Sequence, residues 1–295
     1  MQQSEDDTPE TTVRMRIQRL EASVTKTEQR IARTILSEYP ISAMKTLADL
    51  GRAASASPAT VLRFVSKLGF SGYPEFQKAL RGDLQASLDS PLSRFRSNEA
   101  PSDDGAPLDR YGYYATELIR ETVDMVPPQE FQAVVDLLAD TRRPVFLIGG
   151  RYSRGLATLF GYGLSSVRGR VREVEGEARD MVNALADISK RDIVVVFDFR
   201  RYQTNIRHFA EESVAAGARV ILFTDRWHSP CAEIATHVIA LPVASPSLFD
   251  TGLSAMLCLE AMIAHLAEQL GKAGAGRIAR IEALYRTIND QPNGS

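Results

Sequence analysis

The pattern of apolar and polar positions changes character along the chain. Up to about residue 88, apolar residues recur three and four apart, the spacing of one buried helix face. From Pro144 onward they come as short continuous runs separated by amphipathic stretches. In the first segment Val13, Ile17 and Leu20 mark a short helix over residues 13–22. Thr25 followed three residues later by Glu28 is a capping box, and the helix it opens turns Ile31, Ile35 and Leu36 inward before stopping near Pro40. Thr46 and Asp49 repeat the capping logic for a short helix ending at about Ala53. Ser57 caps the next one, with Pro58 at the first helical position, where its missing N–H costs nothing. That helix is expected to bury Val61, Leu62, Val65 and Leu68 and to end at Gly69 in the left-handed region. A further helix runs from about residue 74 to 88.

Residues 90–108, SPLSRFRSNEAPSDDGAPL, keep neither a helical nor a strand period and read as a linker. Beyond it, residues 144–150, 171–175, 192–199, 219–225 and 237–243 form five apolar runs of strand length. A run such as DIVVVFDF, apolar throughout, belongs to a parallel strand covered on both faces. Helical patterns at 154–167, 178–186, 204–216 and 229–234 separate the strands; a long helix, 249–270, and a final one, 275–289, follow. Tyr111, Tyr113 and Tyr114 open another helix just after the linker. The alternation predicts an α/β protein: an N-terminal all-α unit, then a doubly wound, five-stranded parallel sheet. The expected division is a disordered tail at 1–12, the helical unit at 13–89, the linker at 90–108, the sheet domain at 109–272 and a C-terminal helix and tail at 273–295. A length of 295 residues suits two domains.

Composition adds exclusions. Apolar residues make up 44% and charged residues 24%, a globular balance. The longest apolar stretch, 253–270, is interrupted by Glu260, His265 and Glu268, and the acidic N-terminus has no apolar core of a signal peptide. Cys231 and Cys258 cannot make a disulfide framework, so a cytoplasmic location is expected. His228, Cys231 and His237 match no closed zinc spacing, and no metal or cofactor is expected. Charge is uneven: residues 13–82 hold twelve Lys/Arg against five Asp/Glu, a net of +7, while the whole chain is −2. A basic segment on an acidic body points to a polyanionic partner.

The short helices at 46–53 and 58–68, joined by four residues, have helix-turn-helix spacing. Gly51 weakens its helix by ~1 kcal/mol relative to Ala, which asks for a packing reason. The second helix offers Ser57, Ala59, Thr60, Arg63 and Lys67 on its exposed face for base edges, and Arg30, Arg33, Lys45, Arg52 and Lys78 are available for phosphates. A helical bundle binding another protein is the competing reading.

The stretches VTKTEQRIARTIL and TLADLGRAASASPATVLRFVSKLGFSGYPEFQKAL resemble the N-terminal domain of the RpiR/MurR family of bacterial transcriptional regulators. Ser55 stands where the family usually has a turn glycine; Ser adopts the left-handed region at modest cost. The following α/β pattern is similar to the SIS (sugar isomerase) domain that completes such regulators, and implies binding of a carbohydrate derivative. The resemblance also implies two phosphate loops, one like Gly-Ala-Gly-Ser-Ser and one like Ser-Tyr-Ser-Gly-Glu-Thr. Here they read Gly149-Gly150-Arg151-Tyr152-Ser153 and Asp198-Phe199-Arg200-Arg201-Tyr202-Gln203. Among the aligned phosphate ligands only Ser153 keeps a hydroxyl.

Both loops end strands and open helices, where doubly wound sheets place ligands and where helix N-termini favour anions. The candidate effector-binding residues are therefore Gly149, Gly150, Arg151 and Ser153 from the first loop, with Asp198, Arg200, Arg201, Gln203 and Thr204 from the second. The arginines either converge on an anionic effector or pair internally with Asp198. The residues at 149–155 match no dinucleotide or Walker motif.

The expected protein is a non-enzymatic DNA-binding regulator of a metabolic operon. It forms a homodimer or homotetramer on a palindromic operator and responds to a small anionic metabolite, a sugar phosphate or another acidic compound. The alternative is a ketose–aldose sugar-phosphate isomerase, with its base among Glu173, Glu175, Glu177 and His208.

Overall fold

The computed structural model describes residues 12–20, 24–37, 39, 45–88 and 106–289, and the chain divides into two compact units, 1–94 and 95–295. Residues 1–11 of the expected tail and 90–105 of the expected linker lie outside the described residues.

The first unit contains α1 (Val13–Leu20), α2 (Lys26–Leu36), α3 (Leu47–Ala53), α4 (Pro58–Lys67) and α5 (Tyr73–Leu88). Local signals set these boundaries. The Thr12 hydroxyl accepts from the Met15 N–H at 3.2 Å, as an N-cap does. Thr25 and Glu28 complete both halves of the capping box, at 3.3 and 2.8 Å. Ser57 accepts from the Thr60 N–H at 3.2 Å, and Gly69 takes φ +88 directly after α4. Between α3 and α4, Ser55 adopts φ +50.

The helices pack around Ile17, Ile31, Ile35, Leu50, Val61, Phe64, Val65, Phe76 and Leu80. Leu62 departs from the expectation: it is 38% exposed, while Phe64 is fully buried. Positions 61, 64, 65 and 68 make the i, i+3, i+4, i+7 stripe of α4, and Leu62 lies off it.

The second unit begins with α6 (Pro107–Met125), which starts inside the expected linker, and α7 (Pro128–Ala139), which the sequence pattern did not reveal. The remaining order is β1 (Val145–Gly149), α8 (Arg154–Val167), β2 (Val171–Val174), α9 (Ala178–Asp187), β3 (Ile193–Phe197), α10 (Thr204–Ala215), β4 (Arg219–Asp225), β5 (His237–Leu241) and α11 (Leu253–Asn289). Residues 229–234, expected as a helix, form only a 3-10 turn, Pro230–Glu233. The two final helices expected separately are both present within α11 and meet at a kink, where Gly271 is non-helical (φ 49, ψ −122).

All strands are parallel, in the order β2-β1-β3-β4-β5. Alternate side chains feed two cores. Leu147, Val195, Phe197, Ile221 and Phe223 pack with α7, α8 and α11; Phe146, Ile148, Val194, Val196 and Leu222 pack with α9 and α10. Helix α11 is long and apolar enough to cross a membrane by length and composition, but Leu259, Met262 and Leu266 are buried in the first of these cores. The chain reverses its winding between β1 and β3, so the carboxyl ends of those two strands frame the topological switch point.

Candidate functional site

The first candidate surface is the exposed side of α4. Ser57 Oγ lies 2.8 Å from Thr60 Oγ1, and Arg63 Nη2 donates to Thr60 Oγ1 at 3.3 Å. Ser57, Ala59 and Arg63 are exposed, on the side opposite Val61, Phe64 and Val65. Polar groups thus run along the first turn and a half of the helix and end in a guanidinium, an arrangement with the chemistry that base edges in a major groove accept.

The close crossing that presents α4 depends on Gly51, where a Cβ would sit 2.7 Å from the Ala56 carbonyl oxygen and 3.7 Å from Val61 Cγ2. Other expected contacts have internal duties. Lys67 Nζ is 2.6 Å from Glu28 Oε1, tying α4 to α2; Lys67 also leads the causes that hold the Glu28 carboxyl below its usual range. Arg30 donates to the Ser55 and Ala54 carbonyls at 3.2 and 3.4 Å and so braces the turn. Arg52 pairs with Asp49 at 3.3 Å on the surface. Lys45 is exposed, and its backbone carbonyl accepts from the Tyr73 hydroxyl at 2.8 Å.

The second candidate lies at the switch point. Gly149 and Gly150 allow the loop after β1 to lie flat: a Cβ on Gly149 would be 2.6 Å from the Ser153 carbonyl oxygen, and one on Gly150 2.2 Å from Gln203 Nε2. The Gln203 side chain therefore seats the second loop on the first. Ser153 is buried and its hydroxyl donates to the Phe197 carbonyl at 2.6 Å, a brace between loop and β3.

Asp198 points inward, 1% exposed, and accepts from the Ser229 hydroxyl; burial raises its carboxyl to about 6. Asp225, at the end of β4, is fully buried and accepts from the Arg200 N–H at 2.6 Å, the Tyr202 hydroxyl at 2.7 Å and the Trp227 N–H at 3.0 Å. Its carboxyl is also raised by burial.

Thr204 opens α10, whose first turn borders a cleft of about 330 Å³ lined by Asp198, Tyr202, Gln203, Thr204, Arg207, His208, Glu211 and Pro230. Arg207 donates to Glu211 at 2.7 Å. The cleft thus offers helix N–H groups, a guanidinium and an imidazole.

The three loop arginines do not converge as expected. The Arg200 side chain, only 4% exposed, forms a two-pronged pair with Asp250, Nε to Oδ2 at 2.7 Å and Nη2 to Oδ1 at 2.5 Å. Its guanidinium also lies 4.4 Å over the Trp227 ring. Its internal partner is therefore Asp250, on the segment before α11, and not Asp198. Arg151 and Arg201 are exposed, and their side chains make no hydrogen bond or ion pair with the described residues.

Sequence reasoning missed Tyr202, Arg207, Asp225, Ser229 and Asp250. A signal existed for Asp225, a polar residue closing an apolar strand at the carboxyl edge of the sheet. The isomerase candidates are dispersed. His208 lines the cleft, Glu173 accepts from Thr158 and lies 3.9 Å from Arg154, and Glu175 and Glu177 are exposed. Among the described residues no three His, Cys, Asp or Glu side chains form a metal-binding group.

Comparison with known proteins agrees with this two-part organisation. Residues 11–87 match the helix-turn-helix domain of the rpiR family, and residues 137–265 match the SIS domain. An uncharacterized HTH-type transcriptional regulator of Haemophilus influenzae is 25% identical over 74% of this chain and 75% of its own length. The HTH-type transcriptional regulator RpiR of Escherichia coli (strain K12) is 23% identical over 79% of this chain and 77% of its own.

Among solved structures, the sugar isomerase domain of an RpiR transcription factor from Sphaerobacter thermophilus superposes with a TM-score of 0.56, at 19% identity, over 60% of this chain and 98% of that one. The Vibrio vulnificus NanR protein complexed with ManNAc-6P gives a TM-score of 0.55, at 17% identity, over 94% of this chain and 99% of that one. A helix-turn-helix with an exposed polar recognition face, followed in the same chain by a SIS domain, places this protein in the RpiR family of DNA-binding transcriptional regulators.

Proposed function

We propose that the protein is a cytoplasmic, homo-oligomeric regulator that reads its operator through Ser57, Ala59, Thr60 and Arg63 and senses a small anionic metabolite of the sugar-phosphate class in the cleft at the start of α10. The observation that carries the sensing role is the cleft itself. It lies at the carboxyl edge of a parallel sheet, between the segments that follow β3 and β4 and at a helix N-terminus, beside Arg207 and His208. The ManNAc-6P complex of the similarly folded Vibrio vulnificus protein supports the ligand class. Thr204, Gln203 and Arg207 are the ligand-facing groups, with the exposed Arg151 and Arg201 at the rim; Gly150, Ser153, Asp198 and Arg200 hold the loops in shape. A dimer presenting two recognition helices matches a palindromic operator.

Two measurements test this. Binding of DNA flanking the protein's own gene is titrated against scrambled DNA at one salt concentration, with wild type and Arg63→Ala. Loss of a bidentate base contact should narrow the ratio of affinities by ~1–3 kcal/mol; an unchanged ratio refutes the assignment. A thermal-shift screen of sugar phosphates, ManNAc-6P included, is run beside an isomerase assay. Stabilisation by a phosphorylated sugar, reduced in Arg207→Ala and without turnover, is expected. Turnover would favour the enzyme reading.

A further inference from the structure

The opposite edge of the sheet carries a second accumulation of charge. Residues 140–144 lead into β1, Arg170 precedes β2 and Arg191 stands just before β3. These three strands are adjacent in the sheet, so their amino ends bring Arg142, Arg143, Arg170 and Arg191 around one open cleft of about 330 Å³ with Asp140. A five-residue strand at ~3.3 Å per residue separates this edge from the carboxyl edge, where the α10 cleft lies, by roughly 16 Å.

Several of these guanidiniums are already held in place. Arg143 Nη1 donates to the Arg191 carbonyl at 3.0 Å, and Arg170 Nη1 donates to the Arg142 carbonyl at 2.8 Å. Behind them Arg168, 1% exposed, donates to the Leu138 and Arg143 carbonyls. Burial lowers Arg168 to about 10, which leaves it a cation at neutral pH. Arg170 reaches its position with φ +61, a backbone region a non-glycine residue seldom adopts.

Compensation is incomplete. Asp140 accepts from Arg142 at 2.8 and 3.1 Å and from Arg143 at 3.2 Å. Asp192 is turned inward and caps Ser189, at 2.7 Å from its N–H. The exposed Arg191 side chain makes no hydrogen bond or ion pair with the described residues. Four guanidiniums, Arg142, Arg143, Arg170 and Arg191, thus line the cleft with one carboxylate, Asp140, an excess of three positive charges.

We propose that this cleft is a second anion site, separate from the effector cleft, for a small ligand carrying two adjacent phosphates. One phosphate supplies only about −1.5 to −2 at neutral pH, whereas a diphosphate matches the excess. Planar guanidinium forks held around a concavity suit its paired tetrahedral groups. A concave site lined by side chains tied to backbone carbonyls favours a small polyanion over the extended backbone of DNA.

Isothermal titration of the full-length protein with inorganic pyrophosphate, at fixed ionic strength and with sulfate as the reference anion, tests the site. One pyrophosphate should bind per chain at least tenfold more tightly than sulfate. Arg142→Ala and Arg191→Ala should each weaken it by about tenfold, and the double variant should abolish it. Both side chains are exposed, so thermal unfolding should be unchanged; Arg142→Gln and Arg191→Gln serve if either alanine variant is misfolded. Equal affinity for sulfate and pyrophosphate, or binding that survives the double substitution, overturns the proposal. Displacement of pyrophosphate by an unrelated DNA duplex also overturns it and assigns the arginines to the DNA backbone.

Discussion

Arg200→Ala separates an arginine that builds the protein from one that binds a ligand. The side chain is 4% exposed and makes two charge-assisted hydrogen bonds to Asp250, itself 21% exposed. Removing one partner of a buried pair typically costs ~3–5 kcal/mol, because the other charge stays desolvated. Asp250 keeps some contact with water, so the lower end, about 3 kcal/mol, applies here. With a urea m-value of about 2–3 kcal/mol/M for a unit of this size, the midpoint should fall by roughly 1–1.5 M.

Trp227 is the only tryptophan and lies under the Arg200 guanidinium, so its fluorescence follows unfolding of this unit alone. Asp250→Ala should cost a similar amount, and the double variant should cost clearly less than the two single costs together, with a coupling of at least ~2 kcal/mol. Arg201→Ala, in contrast, should stay within ~0.5 kcal/mol of wild type. A shift below about 1 kcal/mol for Arg200→Ala, or additive single variants, would refute the structural role and return Arg200 to the ligand.

Three further outcomes are expected. Gly51→Ala should destabilise the N-terminal unit by about 1–2 kcal/mol in thermal unfolding, because the strain of meeting the Ala56 carbonyl outweighs the gain in helix propensity; unchanged stability would deny the close crossing. Lys67→Ala should lower the stability of that unit, with an effect that shrinks as Glu28 is protonated below its depressed folded pKa; a change in base preference at constant stability would restore Lys67 to the groove. Asp198, raised to about 6 when folded against about 4 unfolded, binds its proton more tightly in the native state. Its stabilising contribution is present below pH 4 and lost as pH rises through 6, about 2–3 kcal/mol in all. Asp198→Asn should remove that slope from the Trp227 transition; an identical slope in the variant would show that Asp198 is not its source.

The sequence by itself determined whatever rests on neighbours in the chain. The Thr25–Glu28 capping box, the Ser57-Pro58 start, the left-handed Gly69 and the five apolar strands were legible because caps, turns and strand burial involve residues within a few positions of one another. That the two loops sit at the carboxyl edge of the sheet was legible for the same reason: each directly follows its strand. Side-chain employment was not. Arg200 meets Asp250 fifty residues later, and Lys67 meets Glu28 thirty-nine residues earlier. An arginine or lysine has the same chemistry whether it faces a ligand, DNA or a buried carboxylate. Only the tertiary arrangement, which decides the carboxylate that arrives and the water that leaves, separates those roles.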